Sequence, residues 1–324
     1  MATIAIEKDQ PIVSFGLITD IHYADLEDRW NYSRTFLRRY RNSLKLVREA
    51  CQHWLNAKHS LAFVVQLGDL IDGFCASNNS TENDLRTILK EFEKLPRVYH
   101  LWGNHEFYNL TRNQLLASPL CSFDTKEISP SHYGTIEICP NLRIIALDTY
   151  DLSLLGIDEN TERYDQAMST LRKYNQNDNV NDRTGLDGYQ QRFIQLNGGL
   201  TQKQLTWLRD QLLHARNHHD KVLIFGHIPV HPIAADEIAL LWNYENVLDL
   251  LWEFDDVVLA YLAGHCHEGG YYYDEKRIHH ITLQAIVECE PDINAFATVH
   301  VYNQHLVIEG IGRINTYRIE LLKN

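Results

Sequence analysis

Gly103-Asn104-His105-Glu106 is the stretch on which the fold prediction rests, because a glycine and three polar side chains directly follow an apolar run at residues 98–102. Such a run is typical of a β-strand. Four further apolar runs end in polar clusters, namely Asp20-Ile21-His22, Gly68-Asp69, Gly226-His227 and Gly264-His265-Cys266-His267. The carboxyl ends of parallel strands converge on one crevice, where ligands usually bind. The five clusters therefore predict one polar site at the edge of a sheet.

Strands and helices alternate around the first three clusters. Apolar runs predict strands at 12–19, 61–67 and 97–102, and amphipathic patterns predict helices at 37–54 and 83–94. This β-α-β-α-β order is typical of an α/β protein with a largely parallel sheet and helices on its faces.

The second half of the chain predicts another sheet. Strands are expected at 133–138, 142–147, 221–225 and 257–263 and at five short runs between 271 and 321, and helices at 164–174, 201–215 and 244–254. A long irregular stretch at about 151–200 is an expected functional insertion, because such stretches inside compact domains are usually functional. We expect one domain over residues 1–324, with two packed sheets, helices outside and this insertion on the substrate side.

Composition limits the classes of function. The 324 residues are 44% hydrophobic and 23% charged, with a net charge of −13. The hydrophobic fraction is that of an ordinary globular protein. The acidic charge argues against a nucleic-acid partner, because binding a phosphate backbone needs a basic surface. An acidic protein that handles phosphates needs bound cations to invert its local field.

The chain shows no targeting or membrane pattern. Its first ten residues lack a signal-peptide pattern, and no apolar run approaches the ~20 residues of a membrane span. The six cysteines are scattered and include no Cys-x-x-Cys pair. We expect a cytoplasmic monomer with reduced thiols and no membrane partner.

The strand-end clusters offer a mixed set of metal ligands. Imidazoles with carboxylate and amide oxygens suit Mn²⁺, Fe or Zn²⁺ better than calcium. Seven ligands are too many for one tetrahedral ion and about the right number for two ions that share a carboxylate. Two such ions are used for phosphoryl hydrolysis. Each cluster alone is common in proteins without a metal, and only their conjunction carries the prediction. The predicted ligands are Asp20, His22, Asp69, Asn104, His227, His265 and His267. His218-His219 and His279-His280 are expected surface pairs.

In content, order and approximate spacing, the five clusters resemble the calcineurin-like metallophosphoesterase family over residues 14–270. The resemblance implies a four-layer αββα sandwich of two mixed sheets between helices. It also implies two metal ions that share Asp69, the first held by Asp20, His22, Asp69 and His267, the second by Asp69, Asn104, His227 and His265. His105 then makes no metal bond and either protonates the leaving oxygen or stabilises the transition state.

A closer resemblance runs nearly end to end, to the family members that use manganese to cleave ADP-ribose and CDP-alcohols. It rests on stretches such as Asp148-Thr149-Tyr150-Asp151 and Leu241-Trp242-Asn243-Tyr244. It implies hydrolysis of nucleoside diphosphate-X substrates: ADP-ribose to AMP and ribose 5-phosphate, and CDP-choline or CDP-glycerol to CMP and a phosphoalcohol. We expect two divalent ions, Mn²⁺ first, with Zn²⁺, Fe or Mg²⁺ as alternatives. His22 replaces the Gln of vertebrate members, and Cys266 replaces a Thr or Asp.

Substrate contacts are predicted at six positions. Tyr32, Leu186 and Trp242 are candidates to hold a base or ribose, with core packing as the rival explanation for each. Arg41 is a candidate for the diphosphate, on one side of the predicted helix with Arg34 and Arg38, and the alternative is a solvated helix flank. Asn197 and Gly198 lie in a loop whose backbone can approach a nucleotide closely.

Two rival functions stay open at this point. The first is a phosphomonoesterase or cyclic-nucleotide phosphodiesterase that uses the same metal core. The second is a non-catalytic scaffold with this fold.

Overall fold

A computed structural model describes residues 10–31, 33–123 and 132–322. The strands are β1 (Val13–Ile18), β2 (Arg29–Trp30), β3 (Leu37–Arg38), β4 (Phe63–Gln66), β5 (Val98–His100), β6 (Gly134–Cys139), β7 (Leu142–Ala146), β8 (Lys221–Phe225), β9 (Val258–Ala263), β10 (Gly270–Tyr273), β11 (His279–Thr282), β12 (Ala295–Val301), β13 (His305–Gly312) and β14 (Tyr317–Glu320). The α-helices are α1 (Tyr40–Leu55), α2 (Phe74–Ser77), α3 (Thr81–Phe92), α4 (Asn104–Asn109), α5 (Arg112–Leu116), α6 (Glu162–Arg172), α7 (Gln202–His218) and α8 (Tyr244–Glu253).

Two six-stranded sheets form the centre of the molecule. The first has the order β14-β13-β12-β1-β4-β5, and the second has the order β10-β11-β9-β8-β7-β6. β1, β4 and β5 are parallel neighbours in the first sheet, and β7, β8 and β9 are parallel neighbours in the second. Both sheets also carry antiparallel strands, so both are mixed. The parallel strands β4, β8 and β9 are almost entirely buried, which accounts for their largely apolar sequences.

The sheets pack face to face, with helices on their outer sides. Phe15 of β1 lies 6.5 Å from Phe225 of β8 between ring centroids, inside the shared core. On the outside of the first sheet, Trp54 of α1 donates a hydrogen bond to Thr298 of β12 at 3.2 Å. The indole of Trp54 occupies the space where a side chain at Gly16 would stand. Helix α7 packs against β8 on the other side. The predicted αββα order is confirmed.

The irregular segment at 151–200 folds back onto the same body. Leu152 and Gly199 exchange two backbone hydrogen bonds of 2.8 Å, which close the segment at its base. Its apolar side chains form a small second core with Trp242. That core comprises Leu152, Leu154, Ala167, Leu171, Phe193 and Trp242. The segment is therefore a packed insertion and not a tether.

Two local predictions are wrong. The helix predicted from residue 37 begins at Tyr40, because Leu37 instead pairs with Trp30 in a two-stranded ribbon, β2–β3. The pair His279-His280 does not lie wholly at the surface: His280 is buried and its Nε2 lies 2.8 Å from Asp274 Oδ2.

The predictions miss four short elements near the site, which are helices α2 and α4 and strands β2 and β3. Each of them spans six residues or fewer. The periodic signal needs a longer window. No helix in the described part of the chain is long and apolar enough to cross a bilayer. All six cysteines fall within the described segments, and none of them forms a disulfide bond there.

Candidate metal centre

The loops that follow β1, β4, β5, β8 and β9 meet at one edge of the two sheets. The His22 backbone N–H donates to Asp69 O at 2.9 Å, which joins the first two loops. In the second sheet, the Gly264 N–H donates to His227 O at 3.0 Å, which joins the loops that follow β8 and β9. The five polar clusters of the sequence are thus brought together by the topology, as their positions after strands predict.

Four of the predicted ligands adopt a left-handed backbone. The φ angles are 48° at Asp20, 46° at His22, 58° at Asp69 and 65° at His265. Residues other than glycine seldom adopt this conformation, and strained backbone of this kind concentrates at functional sites. The sharp turns aim successive side chains back across the strand ends.

Two glycines make the close approach of these loops feasible. Gly68 has a φ of 112°, and a side chain there would overlap the His227 imidazole. A side chain at Gly103 would overlap the Asp69 carboxylate. Gly68 and Gly103 are therefore required, because a larger side chain would not fit at either position. At Gly68 the backbone conformation also requires glycine.

Asp20, His22 and His267 form the first group of converging donor atoms. Their candidate ligand atoms lie within 4.8 Å of one another. The Nε2 atom of His22 lies 3.7 Å from Asp20 Oδ1, and that of His267 lies 3.4 Å from the same oxygen. The other oxygen of Asp20 accepts hydrogen bonds from Thr19 Oγ1 at 2.6 Å and from the His265 N–H at 3.0 Å. These bonds hold the carboxylate in place.

Asp69, His227 and His265 form the second group, with the same 4.8 Å limit. Asp69 Oδ2 lies 3.4 Å from His227 Nε2 and also 3.4 Å from His22 Nε2 of the first group. Asp69 therefore stands between the two groups. The two groups together bring six of the seven predicted ligands close to one another.

Three of the imidazoles are oriented through their Nδ1 atoms. His22 Nδ1 lies 3.0 Å from Asp72 Oδ2, His227 Nδ1 lies 2.8 Å from Leu67 O, and His267 Nδ1 lies 2.8 Å from Glu288 Oε1. In each ring Nε2 then faces the converging carboxylates. Histidines that bind metals typically use one nitrogen in this way to fix the other.

The electrostatics of the buried groups favour bound cations. Burial raises the pKa of Asp69, but the neighbouring histidines, His227 first, outweigh it and hold that pKa well below its usual range. Burial lowers the pKa of His227, yet the charge of Asp69 prevails and raises it to about 9. Burial and the charge of His227 lower the pKa of His265 to about 3. Ionised carboxylates thus face imidazole nitrogens in a buried space.

His227 supplies a direct test of whether a metal fits. Its Nε2 atom is buried and has no hydrogen-bond partner among the described residues, although Asp69 Oδ2 lies 3.4 Å away. A buried polar atom without a partner costs about 1–3 kcal/mol. An ion between His227 and Asp69 would satisfy both atoms, so the donor set fits a divalent cation.

Helix α4 carries the next three polar residues of the opening stretch. Asn104 is buried, and its Oδ1 accepts a hydrogen bond from the Tyr150 hydroxyl at 3.2 Å. His105 Nδ1 accepts a hydrogen bond from the Gly73 N–H at 2.8 Å. Both side chains line the same cavity as Asp69.

Glu106 ties two ligand loops together. Its carboxylate accepts hydrogen bonds from the N–H groups of Asp69 at 2.8 Å, Leu70 at 2.6 Å and Gly103 at 2.7 Å. These contacts span the loops that follow β4 and β5. Glu106 therefore positions Asp69 and Asn104 from below the site.

A cavity of about 200 Å³ lies over the two groups. We call it the site cavity; it is lined by Arg38, Asp69, Asn104, His105, Leu196, His265, His267 and Glu288, among others. A second cavity of about 530 Å³ shares Arg38 and His105 with it. We call this the aromatic cavity, because Trp30, Tyr40, Phe74 and Tyr108 line it. Trp30 is 60% exposed.

The first three predicted substrate residues to compare with the structure are Arg41, Leu186 and Tyr32. The Arg41 prediction is not supported by its position, because its guanidinium pairs with Asp25 at 2.5 Å and with Glu27 outside the site cavity. Leu186 is buried and does not line that cavity, so it makes no contact there. Tyr32 lies outside the described residues.

The remaining three predicted substrate residues are Trp242, Gly198 and Asn197, and each makes contacts within the protein that support the site. Trp242 is 1% exposed and donates to Ile194 O at 3.1 Å, so the rival explanation of core packing describes it. Gly198 O accepts a hydrogen bond from the Trp242 N–H at 2.8 Å. Asn197 Oδ1 lies 2.7 Å from His265 Nε2 and supports a predicted ligand.

Three residues at the site were absent from the site predictions: Asp72, Glu106 and Glu288. Asp72 follows Asp69 by three residues, a spacing that could have marked it. Glu106 belongs to the stretch Gly103-Asn104-His105-Glu106, but the sequence pattern assigns it no role. Glu288 had no local signal, because it is 21 positions from His267.

Sequence comparison agrees with this geometry. The family model of calcineurin-like phosphoesterases matches residues 13–269. The two sheets, the ligand groups at their edge and this match together define the class: the chain belongs to the calcineurin-like phosphoesterase family.

Within this family, the chain is similar to particular proteins over most of its length. The chain is 41% identical to the manganese-dependent ADP-ribose/CDP-alcohol diphosphatase of Mus musculus, over 95% of this chain and 93% of that one. The Danio rerio protein with the same name is 40% identical, over 96% of this chain and 99% of that one. The crystal structure of a dimetal phosphatase from Danio rerio superposes with a TM-score of 0.93 at 39% identity, covering 96% of this chain and 100% of that chain.

Proposed function

We propose that this protein is a manganese-dependent diphosphatase that hydrolyses the phosphoanhydride of ADP-ribose and CDP-alcohols, as its relatives' name states for them. The observation that carries the proposal is the pair of donor groups around Asp69, with His105 on the wall of the same cavity. Small nucleoside diphosphate-X molecules are the proposed substrates.

Two divalent ions are the proposed cofactors. Asp20, His22 and His267 would hold the first and His227, His265 and Asn104 the second, with Asp69 shared. When bound, such a pair supplies Lewis-acid activation of water and neutralises charge on the reacting phosphate. The ionised carboxylates and the unpartnered His227 Nε2 support this assignment.

His105 is the proposed catalytic residue that binds no metal. Because the Gly73 N–H donates to its Nδ1, that nitrogen is an acceptor and the proton of the neutral ring resides on Nε2. The ring can then donate a hydrogen bond from Nε2 to the departing oxygen. A departing phosphate monoester, with a second pKa of about 6, needs no full protonation at neutral pH. Of the two roles left open, transition-state stabilisation is therefore favoured.

Arg38 and the aromatic cavity are proposed to hold the rest of the substrate. The site cavity, at about 200 Å³, is smaller than the ~300–1,000 Å³ typical of pockets for drug-sized ligands. The aromatic cavity continues from it past Arg38 and His105. Guanidinium groups suit phosphate, and exposed aromatic rings stack on bases.

We also infer that residues 1–324 act as one domain. Strands from both ends of the described chain support this, because β12, β13 and β14 belong to the same sheet as β1 and β4. The ligand groups take residues from both sheets, so neither sheet holds a complete site alone.

The test is a substrate panel on metal-stripped protein. With Mn²⁺ added, we expect AMP from ADP-ribose and CMP from CDP-choline, and neither product with chelator. Activity on a chromogenic phosphomonoester or on cyclic AMP that exceeds the activity on ADP-ribose would instead favour the rival esterase. Failure to release nucleotide from either diphosphate with any of Mn²⁺, Mg²⁺ or Zn²⁺ would overturn the proposal.

A further inference from the structure

Glu288 lies beyond the 13–269 family match, yet its side chain reaches the site cavity. The residue is 7% exposed and stands beside Arg38 and His267. Burying a carboxylate is costly unless it is paired or hydrogen-bonded. The partners of this carboxylate therefore indicate its role.

The Glu288 carboxylate fixes the tautomer of His267. Its Oε1 lies 2.8 Å from His267 Nδ1. An ionised carboxylate can only accept, so Nδ1 donates and His267 Nε2 keeps its lone pair free. That Nε2 faces Asp20 Oδ1 at 3.4 Å, inside the first donor group.

The backbone around Glu288 is attached to two of the predicted ligands. The Ala285 N–H donates to His267 O at 3.1 Å, and the Val287 N–H donates to Asp20 O at 3.2 Å. Val287 O in turn accepts from the Arg39 N–H at 2.7 Å. Glu288 is therefore held at a fixed position relative to the first donor group.

The other oxygen of Glu288 is left without a partner. Oε2 is buried and makes no hydrogen bond within the described chain, and the same holds for Arg38 Nε, which lies 3.7 Å from Oε1. Most buried polar atoms in proteins are hydrogen-bonded, so these two atoms call for an explanation. The Glu288 carboxylate thus lies between His267 and the Arg38 guanidinium, and all three side chains line the site cavity.

Both histidines of the first group are backed by carboxylates. Asp72 Oδ2 stands behind His22 Nδ1 at 3.0 Å, as Glu288 stands behind His267. In the second group, His227 Nδ1 has only the backbone carbonyl of Leu67. A carboxylate partner increases the basicity of a ligating imidazole more than a neutral carbonyl does.

We propose that Glu288 is a positioning residue that sets the affinity of the first metal site, because it holds His267 in the ligating tautomer and makes Nε2 a stronger donor. The inference rests on the proposed two-ion function. It assigns a part of the site to the C-terminal segment that the family match does not include.

The test measures Mn²⁺ binding without substrate, by isothermal titration calorimetry on chelator-stripped protein. Glu288→Gln keeps an oxygen near His267 but removes the charge. We expect one of the two ions to bind about 10–100-fold more weakly in this variant, with the other changed less than about twofold. Activity at saturating ADP-ribose should recover when Mn²⁺ is raised by the same factor, which a folding defect would not allow.

Glu290→Gln is the matched control. Glu290 is on the same segment and has the same charge, but its side chain is 62% exposed and pairs with Arg39 at 2.7 Å. Its Mn²⁺ affinities should equal those of the wild type. If Glu288→Gln fails to fold by circular dichroism, Glu288→Asp replaces it, since the shorter side chain withdraws from His267 and the same weakening is expected.

Wild-type affinity for both ions in the folded Glu288 variant would overturn the inference while leaving the proposed function intact. Equal weakening in Glu290→Gln would overturn it as well, because the effect would then be one of net charge. A wild-type protein that binds no Mn²⁺ would overturn the proposed function together with this inference.

Discussion

The Nδ1 atom of His105 accepts a hydrogen bond from the Gly73 backbone at 2.8 Å, and this contact limits what the ring can do. The nitrogen that accepts from a backbone N–H cannot also donate, so only Nε2 is left to act on substrate. His105→Ala should therefore lower kcat by about 10²–10⁴-fold while two Mn²⁺ ions still bind. Turnover with ADP-ribose and calorimetric Mn²⁺ binding check this. His218→Ala, at the exposed end of α7, is the control.

Loss of a Mn²⁺ ion in His105→Ala would show that His105 is a ligand and would contradict the division of roles between His105 and Asn104.

The sequence pattern and the structure place Arg38 and Arg41 differently. The pattern predicts a helix from residue 37, which places both arginines on one helix. In the structure Arg38 belongs to β3 and Arg41 to α1, so the two side chains diverge. Arg38 lines the site cavity, whereas Arg41 is 50% exposed and pairs with Asp25 and Glu27. The two-residue strand is too short for any periodic signal.

At the scale of an element, the turn after β4 depends on Gly68. Its φ of 112° and its contact with His227 both exclude a side chain. Gly185 also has a positive φ, of 79°, but has nothing within 4 Å of an added Cβ. Gly185→Ala should cost about 1–2 kcal/mol from backbone strain alone. Gly68→Ala should cost about 1–3 kcal/mol more, from overpacking.

Urea denaturation of both variants in chelator, where bound metal adds nothing, measures this difference. Equal losses of unfolding free energy would contradict the account of the turn.

The β2–β3 ribbon presents an exposed ring beside the site. Trp30 is 60% exposed and lines the aromatic cavity next to Arg38 and His105. If the base stacks there, Trp30→Ala should raise the KM for CDP-choline about 5–100-fold and leave kcat nearly unchanged, since base stacking contributes about 1–3 kcal/mol. Tyr273→Ala, with a ring 46% exposed on β10, is the control. An unchanged KM in Trp30→Ala would show that the base does not bind in the aromatic cavity.

At the scale of the whole molecule, buried neutral histidines tie stability to pH. Burial lowers the pKa of His100 at the end of β5 to about 4. Its unfolded pKa is near 6.5, so as the pH falls the unfolded chain takes up a proton first. The stability that this residue contributes is complete above pH 6.5 and is lost between about 6.5 and 4, by about 3 kcal/mol.

His100→Asn removes this titration. The unfolding free energy of the wild type should fall more steeply between pH 6.5 and 4 than that of the variant, as measured by urea denaturation. Parallel curves would mean that His100 titrates alike in both states.

Much of the architecture follows from the sequence, because the signals are local. The runs at β1, β4, β8 and β9 are largely apolar, and each is followed by a polar cluster that marks the strand end. The predicted ligands follow from those ends, since parallel strands bring them to one edge. Glu288 and the site cavity depend on contacts between distant segments, such as the 2.8 Å contact to His267, and no local pattern encodes them.

Asp69 lies between the two donor groups, and we propose that it is shared by two ions. Its Oδ2 lies 3.4 Å from both His22 Nε2 and His227 Nε2. The most direct measurement is the number of Mn²⁺ ions bound per chain, by equilibrium dialysis, in the wild type and in Asp69→Asn. We expect two ions in the wild type and a loss of tight binding at both sites in the variant. One ion in the wild type, or two still tightly bound in Asp69→Asn, would contradict this proposal.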